Sequence, residues 1–245
     1  MTQKNNIKET ANLLKHASYG VAFTGAGISV ESGIAPFTGA GGLWNQYDPK
    51  YIEIDFFRAH PQESWREMKK IFFNDMHDAA PNKAHEVLAA LETRGMLRGV
   101  ITQNIDGLHQ KAGSKNVQEF HGTIYTLSCV RCGKKVPLAQ TDLSNDLPCC
   151  SCGGVLKPDF VFYGEGIPPA AYQNSLEMAQ NCDVMVIVGT AGQVMPACSM
   201  PLVAKQFGAK IIEVNPQPSA FTDSITDFYF PLKATEFFGE LEKEI

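Results

Sequence analysis

Apolar residues recur along the chain with helix-like and strand-like spacing. Residues 7–16 repeat apolar side chains at helical spacing and predict an opening amphipathic helix. Short apolar segments predict strands at 21–24, 97–102, 117–120, 184–188 and 210–214. Helical patterns lie between and after them, at 81–95, 107–112, near 170–180, from about 196 and around 237–241. Strands that alternate with helices predict an α/β fold whose parallel sheet is covered on both faces.

Polar or glycine-rich segments follow each of the five predicted strands. They are residues 25–29, 103–106, His121, 189–191 and 215–217. In parallel sheets ligands bind beyond the carboxyl ends of the strands, so all five segments are predicted to face one crevice.

Gly25-Ala26-Gly27 forms the first of these segments. Glycine lets the backbone approach a ligand closely, and free N–H groups at a helix start favour a phosphate. A dehydrogenase fingerprint needs a third glycine, but Val30 stands there, and a loop rich in Gly and Pro replaces the expected helix and strand. The segment therefore predicts a nucleotide site that is not built for hydride transfer.

Composition excludes several classes of function. The 245 residues, 44% of them hydrophobic and 19% charged, are typical of one large globular domain or a domain with an insertion. A net charge of −5 argues against binding to nucleic acid through phosphate neutralisation. The polar N-terminus lacks the apolar core of a signal peptide, and the run 184–188 is too short to span a bilayer. We therefore expect no nucleic-acid partner and no membrane partner.

Five of the seven cysteines fall between 129 and 152. Cys129 and Cys132 form one Cys-x-x-Cys pair, and Cys149 and Cys152 form a second. Four thiolates at this spacing predict a structural zinc ribbon in a reducing cytoplasm. Cys150 is the expected spare, although a shift of register exchanges it with Cys149.

Two of the crevice segments carry candidate chemistry. His121 ends a strand, and a histidine suits proton transfer because its charge changes near neutral pH. Asn104 and Asp106 provide an amide and a carboxylate that can hold a ribose, a water or a carboxamide, but helix capping explains them equally well.

Taken together and in order, these motifs resemble the sirtuins, which are NAD-dependent protein-lysine deacylases. The matching stretches cover nearly the whole chain: 25–29, 102–106, 121–122, the four cysteines, 161–165, 189–190 and 214–215. The resemblance implies a Rossmann-like parallel sheet made by residues 1–32, 81–122 and 161–245. It also implies a smaller domain that combines a zinc-ribbon insertion (123–160) with a helical module and cofactor loop (33–80).

The resemblance also implies roles for individual residues. His121 is expected to be the general base, with Asn104 and Asp106 as its catalytic partners. The implied NAD-binding residues are Gly25, Ala26, Gly27, Ser29, Phe37, Gln103, Asn104, Ile105, Asp106, Gly189, Thr190, Ala191, Asn215, Pro216, Gln217 and Lys233. Val161, Phe162 and Tyr163 are expected to pair with the acylated substrate as an added strand. The implied cofactors are NAD and zinc, the implied products are nicotinamide and O-acyl-ADP-ribose, and the protein is expected to be a cytoplasmic monomer.

The chain departs from the family pattern in two motifs. Residues Ala35-Pro36-Phe37-Thr38 stand where the family has Pro-Asp-Phe-Arg. Thr38 replaces the arginine of Gly-Ile-Pro-Asp-Phe-Arg, so a cation expected beside NAD is missing, and Ala191 replaces the serine of Gly-Thr-Ser. The Tyr-x-x-Arg pair of the branch that removes acidic acyl groups is absent between Trp65 and Phe73, which favours a neutral acyl group. The alternatives are a protein mono-ADP-ribosyltransferase using the same NAD pocket, a dehydrogenase, and a non-catalytic zinc-ribbon module.

Overall fold

The structure is a computed structural model that describes residues 3–39, 41–73 and 79–245. Within these ranges the strands, in chain order, are β1 (Gly20–Thr24), β2 (Gly99–Thr102), β3 (Val117–Glu119), β4 (Gly122–Cys129), β5 (Lys135–Pro137), β6 (Leu156–Phe160), β7 (Val184–Val188), β8 (Lys210–Val214) and β9 (Phe228–Phe230). The α-helices are α1 (Gln3–His16), α2 (Ile54–Ala59), α3 (Pro61–Met68), α4 (Lys83–Thr93), α5 (Leu108–Lys111), α6 (Pro169–Asn181), α7 (Ser199–Gln206) and α8 (Ala234–Leu241). A 3-10 helix, Ala26–Ser32, follows β1, and a π-helical turn, Lys69–Phe73, continues α3.

The larger sheet has six strands in the order β3-β2-β1-β7-β8-β9, and every neighbouring pair is parallel. This confirms the predicted α/β fold. Because all the strands run the same way, their carboxyl ends meet at one edge of the sheet, where the five predicted segments follow them.

Helices cover both faces of this sheet. On β1, Ala22 points into a core with Leu14 of α1, Leu88 of α4 and Phe237 of α8. Its neighbours Val21 and Phe23 point the other way, into a core with residues of α6 and α7. Strands buried on both faces read as continuous apolar runs, which is why the sequence revealed them.

The smaller sheet is antiparallel, in the order β5-β4-β6. Its buried side chains share one hydrophobic cluster with the segment between residues 34 and 73, for example Leu127 and Phe160 with Trp65 and Phe72. The Trp65 indole also donates to the Leu156 carbonyl at 2.7 Å. This common core supports the grouping of the zinc-ribbon and helical segments into one smaller domain. The exact domain boundaries remain predictions. Residues 74–78 of the helical module lie outside the described residues.

Several elements differ from the sequence prediction. The edge strand β9 was not predicted, because its three residues follow a polar loop and form too short an apolar run to indicate a strand. The helix expected from about residue 196 begins at Ser199, after a turn that contains Met195 and Pro196. Among the described residues, no helix is both long enough and apolar enough to cross a membrane.

Candidate active site

The ends of β1 and β7 meet in a glycine contact at the carboxyl edge of the sheet. Gly27 donates its N–H to the Gly189 carbonyl at 2.8 Å. A Cβ on Gly189, whose φ is +63°, would lie 2.3 Å from the Ile28 nitrogen, and a Cβ on Gly27 would lie 2.6 Å from the Gly189 Cα. Only glycine fits at both positions, and the close approach opens a main-chain cradle.

A cavity of about 720 Å³ opens at this cradle and extends between the two sheets. Twelve of the residues predicted to bind a cofactor line it: Gly25, Ala26, Gly27, Phe37, Gln103, Asn104, Ile105, Gly189, Thr190, Ala191, Asn215 and Gln217. His121, Val161, Phe162 and Tyr163 lie on the same wall. The five strand ends thus do contribute to one crevice, of a size typical of small-molecule sites.

His121 follows β3 and has its two ring nitrogens in different environments. Its Nδ1 lies 3.0 Å from the main-chain oxygen of Gln103. A carbonyl oxygen only accepts, so Nδ1 carries the proton and the lone pair is on Nε2. Burial lowers the pKa of His121, and the bond to Gln103 opposes that shift. The ring is therefore neutral near pH 7, with Nε2 ready to take a proton.

The main chain and the side chain of Asn104 are both fixed by hydrogen bonds. Its N–H donates to Thr102 Oγ1 at 3.1 Å, and its side-chain Nδ2 donates to Ser29 Oγ at 3.1 Å. Its Oδ1 is buried and has no hydrogen-bond partner within the described chain. Buried polar atoms are normally paired, so an unpaired amide oxygen in a residue that lines a cavity indicates a site for a hydrogen-bond donor of a ligand. Asn104 therefore fits a bound ribose or amide.

Asp106 lies behind Asn104 rather than on the cavity wall. Ser29 Oγ donates to its Oδ2 at 2.7 Å, and the Leu108 N–H donates to its Oδ1 at 3.0 Å. Burial raises the pKa of Asp106, while these donors lower it. In this structure the carboxylate orients Ser29, and through it the side chain of Asn104.

Four predicted cofactor residues do not line the cavity in this structure: Ser29 and Asp106, which lie behind Asn104, and Lys233 and Pro216. Lys233 is exposed at the N-cap of α8, a helix that packs against α1, α4 and the 3-10 helix Ala26–Ser32. Pro216 is exposed between Asn215 and Gln217, which do line the cavity.

The predicted substrate strand, residues 161–163, already uses its N–H groups. Val161 donates to the His121 carbonyl, and Tyr163 donates to the Ile52 carbonyl, both at 2.8 Å. Phe162 donates to a carboxylate oxygen of Glu165, also at 2.8 Å. Among the described residues no donor reaches the Val161 carbonyl, so an added strand has that oxygen available here but not the three N–H groups.

Sequence reasoning missed a second rim of the cavity, the loop 192–196. Val194 and Met195 are 51% and 65% exposed there, which is unusual for apolar side chains. The sequence carried a signal, since this loop directly follows the predicted Gly189–Ala191 segment. Further lining residues that were not predicted are Pro36, Thr38, Trp44, Ile52, Phe72, Phe160, Gly164, Glu165, Gly166, Ile167, Gly192, Gln193, Pro196 and Pro218.

The residues described on the cavity wall include no lysine or arginine. Thr38, where the family pattern has arginine, is exposed on that wall. The lysine and the arginine nearest to Thr38 in the sequence are both paired: Lys50 with Asp48 at 3.5 Å, and Arg58 with Asp55 at 3.2 Å. An anion bound in the described cavity therefore depends on main-chain N–H groups and neutral side chains.

Four thiols gather at the tip of the smaller sheet: Cys129, Cys132, Cys150 and Cys152. Their sulfur atoms all lie within 4.8 Å of one another, with Cys129–Cys152 and Cys132–Cys152 at 3.5 Å and Cys132–Cys150 at 3.9 Å. Zinc with four sulfur ligands at about 2.3 Å places them about 3.8 Å apart, so the cluster fits a tetrahedral zinc ion.

The predicted third ligand, Cys149, is not in this cluster. Cys149 is exposed and forms an isolated β-bridge with Val155, whereas Cys150 is buried. Successive side chains of an extended segment point to opposite sides, so only one of two adjacent cysteines can face the cluster. The Cys150 N–H donates to the Gly154 carbonyl at 2.8 Å, which closes the turn that brings Cys150 and Cys152 together.

Comparisons with known proteins agree with this architecture. The model of the Sir2 family matches residues 25–196. The chain is 42% identical over 238 residues to the NAD-dependent protein deacylase of Aeropyrum pernix, covering 97% of this chain and 96% of that protein. It is 45% identical over 215 residues to the NAD-dependent protein deacetylase of Thermodesulfovibrio yellowstonii, covering 85% and 84%.

Solved structures give the same result. One described as "Sir2-p53 peptide-NAD+" has a TM-score of 0.89 and 38% identity, covering 97% of this chain and 98% of that chain. Another, "Sir2 bound to acetylated peptide", has a TM-score of 0.89 and 37% identity over the same shares of the two chains.

Proposed function

The chain belongs to the Sir2 family, and we propose that its cavity is where NAD and an acylated lysine side chain react, with His121 as the general base. The protein is an NAD-dependent protein deacylase. Its proposed products are nicotinamide and O-acyl-ADP-ribose, which makes it formally an acyl transferase to ADP-ribose. One observation carries the proposal: a neutral His121 with a free Nε2 lies on the same wall as Asn104, whose Oδ1 is unpaired in the described chain.

NAD, when bound, supplies the ribose carbon that releases nicotinamide and accepts the acyl oxygen of the substrate. The protein's own groups orient the reactants and move the proton. The unpaired Asn104 Oδ1 is available to a donor on the nicotinamide half of NAD. His121 Nε2 accepts the proton of a ribose hydroxyl, and the Gln103 carbonyl stabilises the imidazolium that forms through its bond to Nδ1.

The adenosine half of NAD is proposed to lie against Thr190 and Asn215. Thr190 Oγ1 accepts from Gln103 Nε2 at 3.1 Å, and the Thr190 carbonyl accepts from Asn215 Nδ2 at 2.7 Å. These bonds tie the loops after β2, β7 and β8 together, so the wall is formed before a ligand enters.

A neutral acyl group is the proposed substrate class. With no lysine or arginine among the described wall residues, the carboxylate of an acidic acyl chain would be desolvated without a partner. Phe37, Trp44 and Phe72 instead offer apolar contact. Acetyl or other uncharged acyl groups therefore suit this wall better than succinyl groups.

The test is to incubate peptides carrying acetyl-, butyryl- or succinyl-lysine with the protein and NAD, and to follow peptide, nicotinamide and O-acyl-ADP-ribose by mass spectrometry. We expect turnover of the neutral peptides, and a loss of about 10²–10⁴-fold in kcat for His121→Ala with NAD binding retained. Near-normal turnover by His121→Ala would show that the base lies elsewhere. If labelled ADP-ribose accumulates on protein while the peptides stay acylated, the mono-ADP-ribosyltransferase alternative is correct.

Zinc is assigned a structural role at Cys129, Cys132, Cys150 and Cys152, because four sulfur ligands leave no open coordination position. We further propose that the protein acts as a monomer in the cytoplasm. Among the described residues the cysteines form no disulfide, in keeping with a reducing compartment. Light scattering of the purified protein tests the monomer, and a stable dimer would contradict it.

A further inference from the structure

A buried chain of hydrogen bonds lies behind Asn104 and ends at a histidine that the proposed mechanism does not use. Thr24 and Thr102 are the last residues of β1 and β2 and are partners in register. Their hydroxyl oxygens lie 2.9 Å apart, and His109 Nε2 lies 2.9 Å from Thr24 Oγ1. At the other end, Thr102 Oγ1 accepts the Asn104 N–H. Thr24, Thr102, Asn104 and His109 are at most 5% exposed.

A second buried histidine, His85, indicates which way the protons point. The ring centroids of His85 and His109 are 4.9 Å apart, edge to face. His85 Nδ1 accepts the Asn82 N–H in the capping box of α4, so the single proton of a neutral His85 is on Nε2. Burial lowers the pKa values of His85 and His109 to about 4 and about 3, which keeps both rings neutral at pH 7.

We assign the same tautomer to His109. In the described chain its Nδ1 is buried without a hydrogen-bond partner, whereas its Nε2 lies 2.9 Å from Thr24 Oγ1. The single proton of the neutral ring is therefore placed on Nε2, the nitrogen that has a partner. His109 then donates to Thr24 Oγ1, the Thr24 hydroxyl donates to Thr102 Oγ1, and lone pairs of Thr102 point at the Asn104 N–H.

We infer that His109 is a positioning residue, which acts through the hydroxyls of Thr24 and Thr102 to fix the main chain of Asn104 at the cavity wall. The inference rests on the proposed function, in which Asn104 Oδ1 receives a donor from NAD. Ser29 and Asp106 fix the other end of Asn104, so the residue is anchored through both its backbone and its side-chain nitrogen. An acceptor held in this way loses little freedom when the ligand arrives.

The rival explanation is that these buried groups stabilise the fold without affecting NAD binding. Calorimetric titration of NAD in the absence of peptide separates the two, together with steady-state kinetics and thermal unfolding. The variants are His109→Leu, which removes the donor, and His109→Gln, whose side-chain amide can place a donor near the position of Nε2. Thr102→Val removes the acceptor of the Asn104 N–H with little change in shape.

The chain offers a matched control for the threonine variant. Thr10 on α1 is fully buried, and its hydroxyl has no partner among the described residues. Thr10→Val therefore deletes a buried hydroxyl without touching the hydrogen-bond chain, and should leave the Kd for NAD unchanged.

We expect His109→Leu and Thr102→Val each to raise the Kd for NAD about 3- to 10-fold, the range expected for one lost hydrogen bond. The KM for peptide should stay within about twofold of wild type, and His109→Gln should recover most of the NAD affinity. The double variant should bind NAD no more weakly than the worse single variant, because both changes break the same chain. Nitrogen NMR of the histidine rings should show the Nε2–H tautomer for both His85 and His109.

The inference is overturned if His109→Leu lowers the melting temperature but leaves the Kd for NAD unchanged, if the two losses add, or if His109 is found as the Nδ1–H tautomer. If His109→Leu does not fold, Thr102→Val and the tautomer measurement still decide. A wild-type protein that fails to bind NAD would refute the proposed function itself, which distinguishes that failure from failure of the His109 inference.

Discussion

Thr38 is the position where an added cation should most change the use of NAD. It is exposed on the cavity wall, and the described wall residues include no lysine or arginine. Lys50 and Arg58, the nearest candidates in sequence for a replacement, are paired with Asp48 and Asp55. An arginine is always charged and has five donors that match phosphate oxygens. We therefore expect Thr38→Arg to raise kcat/KM for NAD.

The size of the gain follows from the exposure of Thr38. A hydrogen bond to a charged group contributes about 1.5–3 kcal/mol. Solvent screening at an exposed site reduces this to about 0.5–1 kcal/mol. At about 1.4 kcal/mol per factor of ten, we expect kcat/KM to rise about 2- to 5-fold. The gain should shrink as salt is raised, because the Debye length falls to about 3 Å near 1 M.

The assay is NAD kinetics on one acetyl-lysine peptide, at low and high salt, for the wild type, Thr38→Arg and Thr38→Gln. Glutamine is the matched control, since it is a long polar side chain without the charge. If Thr38→Arg is no better than Thr38→Gln, or if its gain does not respond to salt, the reasoning is refuted. The loop at 35–38 would then contact NAD in another way, and the family-based placement of Phe37 would need revision.

The adjacent cysteines and the buried histidines give two further predictions. Cys150→Ser should lose zinc and unfold at a lower temperature, because metal binding is part of the folding free energy. Cys149→Ser should keep its zinc and the melting temperature of the wild type. Elemental analysis that finds zinc in Cys150→Ser and none in Cys149→Ser would reverse the assignment. Acid should destabilise the protein through His85 and His109, whose pKa values burial lowers to about 4 and about 3. Above pH ~6.5 both rings are neutral in the folded and unfolded states. Below it only the unfolded chain takes up protons until the pH nears the folded values, so the free energy of unfolding falls, by about 3 kcal/mol per histidine at pH 4.5. Urea unfolding between pH 7 and 4.5 should show a smaller loss for His109→Gln than for wild type, and equal slopes would contradict the assignment of the depressed pKa.

The crevice was predictable from sequence because two simple rules combine there. Apolar runs reveal the buried strands, and parallel strands bring their carboxyl ends together, so Gln103, His121 and Gly189 were expected at one edge. The third zinc ligand was not predictable, since Cys149 and Cys150 both satisfy a plausible spacing. Only the direction of the side chains in the extended segment separates them.

The layer behind the site was also beyond sequence reasoning. Ser29 and Asp106 are 77 positions apart, and Thr24 and His109 are 85 apart, yet each pair forms a hydrogen bond. The family resemblance implied that Asp106 binds the cofactor directly, whereas the residues alone allowed helix capping equally well. Its position behind Asn104 depends on how the chain turns at Gly107, whose φ is +64°, into α5.

The missing cation makes this second layer more important for NAD binding. A charge interacts over several ångströms and tolerates a small displacement of its partner, since its energy falls only as the inverse of distance. A hydrogen bond from a neutral group weakens steeply as its angle departs from linear. The wall offers NAD main-chain N–H groups and neutral side chains such as Asn104 and Thr190, so recognition depends on direction. We therefore expect the buried contacts that set this direction, from His109 on one side and Asp106 on the other, to contribute to NAD affinity from behind the wall.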